Sequence, residues 1–259
     1  SVTLQALGRL SEAETCYRRA LQIMPDNAEA LSNLGITLHE LGRMDEAEGS
    51  LRRALEINPH YADAYYNLGI TLQQMGRLDE AAACYRQALQ DKPDYADAHY
   101  NLGNTLKDLN RLDEAEVCYR RALQIKPDYA EAHYNLGNTL KELNRLDEAE
   151  ICYRQALQIK PDFADAHYNL GIMLHDLERQ DEAEASYRQA LRIKPDYADA
   201  HNNLGILLKD LGQLDKAEAC FRRTLEIEPD YAKAYTNLGN CKLDLGQLEE
   251  AEAYYRKAL

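Results

Sequence analysis

Every proline in this chain falls on one arithmetic series: Pro25, Pro59, Pro93, Pro127, Pro161, Pro195 and Pro229, each 34 residues after the last. Seven glycines keep the same register, Gly35, Gly69, Gly103, Gly137, Gly171, Gly205 and Gly239. A fixed period of this length means stacked structural repeats, each burying its apolar face against its neighbours. A frame starting at Ala28 divides the 259 residues into six full units, 28–61, 62–95, 96–129, 130–163, 164–197 and 198–231. A partial unit, 1–27, precedes them and a nearly complete one, 232–259, follows, so the expected domain is a single solenoid over 1–259.

The unit 130–163 carries the physics of the repeat. Ala132, Leu136, Leu140 and Leu143 recur at helical spacing, and a second periodic stretch follows with Leu146, Ala149, Tyr153, Ala156, Leu157 and Ile159. Between them stands Asn144, where Gly42, Gly76, Gly212 and Gly246 occur in other copies. Gly or Asn there predicts a left-handed helix C-cap, and Pro161 ends the second helix. The fold class is all-α, built from helix-turn-helix repeats. Asp-x-x-Glu pairs such as Asp45/Glu48, Asp113/Glu116, Asp147/Glu150, Asp181/Glu184 and Asp215/Glu218, with Ser11/Glu14, read as capping boxes for the second helix. Asp94/Asp97 and Asp128/Glu131 read the same way for the first. Gly137 and its equivalents sit mid-helix at a cost of about 1 kcal/mol against Ala, which implies close helix approach. Tyr153 and its equivalents are expected to fill the gap between repeats. Three departures predict weak spots: Asp91 in place of Ile57, Ile125 and Ile159; Gln180 in place of Leu112 and Leu146; and Lys242-Leu243 inverting Leu140-Lys141.

Composition narrows the partners. The net charge of −14 repels phosphate backbones, so no nucleic acid is expected. No apolar run approaches the roughly 20 residues of a membrane span, and Ser1-Val2-Thr3-Leu4 is not a signal peptide. Cys16, Cys84, Cys118, Cys152 and Cys220 share one place in the repeat, and Cys241 stands out of register. Equivalent atoms in stacked repeats lie roughly 10 Å apart, beyond the roughly 7 Å Cα limit of a disulfide. Reduced, packing-type cysteines fit a cytoplasmic compartment.

Leu136-Gly137, Ala149, Tyr153, Ala156 and Pro161, recurring in nearly every unit over the whole chain, resemble the tetratricopeptide repeat (TPR) family. The resemblance implies a right-handed superhelix of antiparallel helix pairs whose first helices line a concave groove, and a task of binding proteins or peptides. Where the family often has a large aromatic, this chain has His99, His133, His167 and His201. They come from successive repeats and are too far apart to share an ion at about 2.1 Å, so no metal and no cofactor is expected.

A second ladder is asparagine: Asn33, Asn67, Asn101, Asn135, Asn169, Asn203 and Asn237 hold one first-helix place without exception. Helix propensity does not select Asn. Its amide suits the backbone of an extended peptide, or it bonds within and between repeats. A similar ladder marks the superhelix of O-linked N-acetylglucosamine transferases and their relatives, which implies a grip on peptide backbone in the groove. Helical geometry sets Tyr66, Tyr100, Tyr134 and Tyr168 beside it, with Asn104 and Asn138 three places later. Seven places later come acids, including Asp108 and Glu142, near a helix C-terminus that disfavours them. Either they pair with arginines such as Arg111 and Arg145, or they read positive charge on a ligand. Acids at Asp97, Glu131, Asp165 and Asp199, with only Lys233 basic, are unlike the subfamily that grips C-terminal carboxylates.

No catalytic constellation is present, so the chain reads as no enzyme. Units 96–129 and 130–163 differ at five places, all conservative, which suits repetitive or extended ligands. The leading expectation is a protein-interaction scaffold that binds extended, neutral-to-basic peptide through the asparagine ladder. The alternatives are a substrate-recruiting arm of a larger enzyme, such as a glycosyltransferase, and a structural spacer or self-assembly module. Neither end carries a polar capping helix, so the chain is expected to be part of a longer protein. The faces around Leu4, Leu7, Tyr254 and Leu259 are expected to associate end to end.

Overall fold

The computed structural model describes residues 8–259, in which fifteen α-helices and no strand occur. The second-helix series begins with α1 (Leu10–Ile23) and continues as α3 (Met44–Ile57), α5 (Leu78–Asp91), α7 (Leu112–Ile125), α9 (Leu146–Ile159), α11 (Gln180–Ile193), α13 (Leu214–Ile227) and α15 (Leu248–Ala258). The first helices are α2 (Ala28–Glu40), α4 (Ala62–Gln74), α6 (Ala96–Asp108), α8 (Ala130–Glu142), α10 (Ala164–Asp176), α12 (Ala198–Asp210) and α14 (Ala232–Asp244). One compact unit ends at Leu143 and holds α1 to α8; the other runs from Asn144 to Leu259 and holds α9 to α15. Each is an all-α helix-turn-helix solenoid, in which a second helix packs on the first helix of its own repeat and on that of the next. Leu4 and Leu7 lie outside the described residues.

Alanines make the packing close. Ala81, Tyr85 and Ala88 of α5 are completely buried with Leu68 and Leu72 of α4, and Ala183, Tyr187 and Ala190 of α11 do the same beside Leu170 and Leu174. The tyrosine ring meets the mid-helix glycine of its own repeat. A Cβ at Gly69 would stand 2.6 Å from the ring of Tyr85, and one at Gly171 would stand 2.7 Å from Tyr187. The glycine removes the side chain that would hold the two helices of one repeat apart.

The tight turn forms as the glycines predicted. Gly42 has φ +77°, donates its N–H to His39 O, and Arg43 N donates to Leu38 O at 2.9 Å, a Schellman closure. Asn110 and Asn144 take the same conformation (φ 57° and 59°), and so does Glu178 at 58°.

The capping boxes do not form. Helix α3 begins at Met44 with Arg43 as N-cap and no side-chain cap, and α7, α9, α11 and α13 start likewise on Arg111, Arg145, Arg179 and Gln213. The first helices α6 and α8 start on Tyr95 and Tyr129, again uncapped by a side chain. The reason is length: Arg43 closes the Schellman turn of α2 and already accepts from Ala47 N, leaving no separate residue to cap. Among the described helices only Asn27 caps, accepting from Ala30 N at 2.9 Å. Asp45 still lies in the first turn of α3, where its charge complements the helix dipole.

The glutamates of the supposed boxes build ionic rings instead. Glu48 accepts from Arg52 at 2.8 Å and from Arg77, one repeat on, at 2.6 Å; Glu80 accepts from Arg77 at 2.7 Å and Arg52 at 3.2 Å. Glu14, Arg18, Glu46 and Arg43 close the same ring, as do Glu150, Arg154, Glu182 and Arg179. Arginine side chains with partner carboxylates thus tie successive second helices together.

The weak spots resolve differently. Asp91 is exposed and pairs with His60 at 2.9 Å, and its counterparts Ile57 and Ile159 are themselves 37% exposed, so Asp91 loses no buried contact. Gln180 and its counterparts Leu112 and Leu146 are half-buried. Lys242 is buried, with Nζ 3.0 Å from Glu218 and 3.2 Å from Glu250. In that repeat Gln247 stands where Arg43, Arg77 and Arg179 stand elsewhere, and Lys242 supplies the missing cation.

Candidate functional site

The ladder asparagines lie on the first helices, Asn33 on α2 through Asn237 on α14, and all seven are half-buried. In the first unit, Asn101 Nδ2 donates to Tyr66 Oη at 3.1 Å and Asn135 Nδ2 donates to Tyr100 Oη at 3.0 Å. In the second unit, Asn203 Nδ2 donates to Tyr168 Oη at 3.1 Å and Asn237 Nδ2 to Asn202 Oδ1 at 3.0 Å. Asn67 instead turns back to Asp63 O at 2.7 Å. The carboxamide N–H thus reaches the preceding repeat; Asn203 Oδ1 accepts from Asn202 Nδ2 at 3.3 Å, while among the described residues nothing donates to Oδ1 of Asn101 or Asn135.

Asn104 extends the network in the first unit. Its Oδ1 accepts from the buried Tyr119 hydroxyl at 2.8 Å and from Asn135 at 2.9 Å. Asn240 takes the same bond from Tyr255 at 2.9 Å. Tyr134 and Asn138 occupy the matching places on α8, and Asn169 the ladder place on α10.

A further set of residues was missed at the sequence level. Tyr95 and Tyr129, the N-cap residues of α6 and α8, stack on Tyr66 and Tyr100 with centroids 4.7 and 4.8 Å apart. Tyr197 stacks on Tyr168 at 4.8 Å. Lys92, Lys126 and Lys194 sit 4.0, 4.3 and 4.5 Å over Tyr95, Tyr129 and Tyr197. The signal was visible: an aromatic closes each unit, and in four of them a lysine precedes it by three residues. Burial, reinforced by Asp63, holds the Tyr95 phenol well above its ordinary value, and burial with the nearby Asp199 pushes Tyr168 up to about 12. These phenols stay neutral. Tyr231 uses its proton on Asp199, 2.5 Å away.

The acids pair with lysine or histidine of the preceding repeat, and not with arginine. Glu142 lies 3.4 Å from Lys107, Asp244 lies 3.7 Å from Lys209, and Asp210 lies 3.4 Å from His175. Arg111 and Arg145 are drawn to Glu114 and Glu148. Asp108, for which Gln73 stands where Lys107, His175 and Lys209 stand for the other acids, has no ion-pair partner among the described residues.

His99 Nε2 donates to Pro93 O at 3.0 Å, and His133, His167 and His201 repeat the bond to their own prolines. Each ring staples its helix to the preceding turn. Burial lowers the pKa of His99 and His167 despite that bond. Among the described residues no group of three His, Cys, Asp or Glu is placed to hold a metal ion, and no helix is long and apolar enough to cross a membrane.

In the second unit the ladder opens on a cleft of about 410 Å³ between α10, α12 and α14, lined by Tyr168, Asn203, Ile206, Tyr231, Lys233 and Asn237 among others. Helix pairs at a 34-residue period, with half-buried polar residues at a fixed place on the first helices, define a helical-repeat protein. The chain belongs to the tetratricopeptide-repeat family: residues 1–60 and 26–93 match the family described as tetratricopeptide repeat, and residues 62–259 match that of the cilia and flagella-associated protein 70 C-terminal domain. Among solved structures, YrrB, described as a TPR protein with an unusual peptide-binding site, is 26% identical with a TM-score of 0.63, over 71% of this chain and 95% of its own. MamA is 25% identical (TM-score 0.58, 61% of this chain and 92% of its own). PilF of Pseudomonas aeruginosa, 21% identical with a TM-score of 0.71 over 84% of this chain and 97% of its own, shows the likeness of fold. No curated protein matches the chain.

Proposed function

We propose that this chain is a protein-interaction scaffold whose asparagine ladder holds the backbone of an extended peptide along the first-helix face. One observation carries the reading: Asn101 and Asn135 spend an N–H on the preceding repeat's tyrosine and keep a carbonyl oxygen unpartnered among the described residues. The tyrosine fixes the carboxamide, so that oxygen can accept a peptide N–H without first being ordered. Each such bond contributes roughly 0.5–1.5 kcal/mol, so affinity accumulates over repeats. Asp97, Asp108 and Asp199 near the ladder favour neutral-to-basic peptides, although Lys107 and Lys209 offset part of the field.

The test is calorimetric titration with neutral peptides of increasing length, followed by basic and acidic counterparts. Affinity is expected to rise with length and to rank basic above acidic. Length-independent binding, or acidic peptides binding best, overturns the reading. Absence of peptide binding together with a mass that grows with concentration favours the assembly alternative. Peptide binding that serves a fused catalytic domain, such as a glycosyltransferase, favours the recruiting arm.

A further inference from the structure

One ionic ring of the second helices keeps both arginines but lacks its first carboxylate. Glu48 and Glu150 each receive an arginine four residues on and another twenty-nine residues on, with N–O distances of 2.6–2.8 Å. The corresponding residue in unit 62–95 is Ala82. Its two arginines remain in the ring conformation. Arg111 Nε and Nη2 hold Glu114 at 2.7 and 2.8 Å, as Arg77 holds Glu80 at 2.7 Å by both nitrogens. Arg86 Nη2 points to Glu114 at 3.5 Å, as Arg52 points to Glu80 at 3.2 Å. The atoms that would meet the absent carboxylate are Arg86 Nε and Arg111 Nη1. Neither has an acceptor among the described residues, and the two side chains are 43% and 40% exposed.

We propose that Arg86 and Arg111 form an acceptor site for one exogenous carboxylate group on the second-helix face. The other rings display the recognition geometry: one carboxylate, one oxygen toward each guanidinium. Glu114 keeps the arginines in position, so the ligand need not order them. The ring lacks one negative charge, which favours an anion locally, and charge-assisted bonds from guanidinium suit a carboxylate. An acidic side chain of a docked protein and a small free carboxylate both offer that chemistry.

The test is NMR observation of the arginine Nε–H signals of the whole chain during titration with acetate at constant ionic strength. A parallel titration uses an end-blocked peptide carrying one glutamate. Saturable shifts of Arg86 are expected in the wild type and lost in Ala82→Glu, where the ring is filled internally, and in Arg86→Gln the Arg111 shift is lost. A response to acetate alone assigns the site to small carboxylates, and a response to both assigns it to acidic side chains as well. Equal shifts in wild type and Ala82→Glu, or no shift of Arg86 with either probe, overturn the proposal. Ala82→Glu is also expected to raise Tm, as two ion pairs form of the kind Glu48 and Glu150 already make.

Discussion

Tyr85 lies flat against Gly69, so close that a methyl group on that glycine would stand 2.6 Å from ring atom Cε1. Alanine would gain about 1 kcal/mol of helix propensity. It would also force the two helices of the repeat apart, at a cost of about 1–3 kcal/mol. Tyr85 is completely buried and has nowhere to turn. Gly69→Ala is therefore expected to lower stability by about 1 kcal/mol or more in urea melts. A rise would mean that the ring relaxes and the glycine has another purpose.

Glu178 occupies the left-handed turn place that Gly42, Gly76 and Gly212 hold elsewhere, at φ 58°. A side chain there costs about 1–2 kcal/mol in backbone strain. Glu178→Gly is expected to recover about 1 kcal/mol, seen as a raised Tm. An unchanged or lowered Tm would contradict the assigned backbone strain.

Glu150 reports on the ionic rings. The hydrogen bond from Arg179, against the opposing effect of burial and with a second bond from Arg154, holds its carboxyl below the ordinary value. A depressed folded pKa contributes stability above the unfolded value, about 4.3, which is lost as pH falls through the folded pKa. Glu150→Gln should cost on the order of 1–2 kcal/mol at pH 7. The gap to wild type should close in acid. A gap that stays constant from pH 7 to pH 3 would show that the ring contributes no charge-dependent stability.

Burial pushes the Cys84, Cys118 and Cys220 thiols up to about 11, whereas Cys16 is exposed. At pH 8 the three carry about a thousandth of their thiolate, so iodoacetamide should label Cys16 first and leave them nearly untouched. Rapid labelling of Cys118 in native protein, read by mass spectrometry, would show that its helix opens readily.

The proline and glycine periods made helix order and turn positions legible, because those residues act on their own backbone. The turn at Glu178 was hidden, since its neighbours impose a conformation that glutamate does not advertise. The roles of Glu48 and Arg77 lay beyond local reading: a box spaced by three residues is a familiar local pattern, but their bond spans 29 residues and exists only after stacking. The bond from Asn101 to Tyr66 spans 35 and needs the same knowledge. Both residues were picked out by periodicity, but their partnership was not. Asp91 looked like a lost core contact because the isoleucines it replaces look buried in sequence, whereas Ile57 and Ile159 are exposed at the helix end and Ile125 is only half-buried.

The most direct measurement compares wild type with the Asn101→Ala, Asn135→Ala double variant by calorimetry against a panel of extended peptides unrelated in sequence. If the carboxamides hold peptide backbone, affinity should fall for every peptide by a similar factor, roughly tenfold or more for two lost bonds. Circular dichroism should show the fold retained. Unchanged affinity across the panel in a folded double variant would contradict the ladder's proposed role.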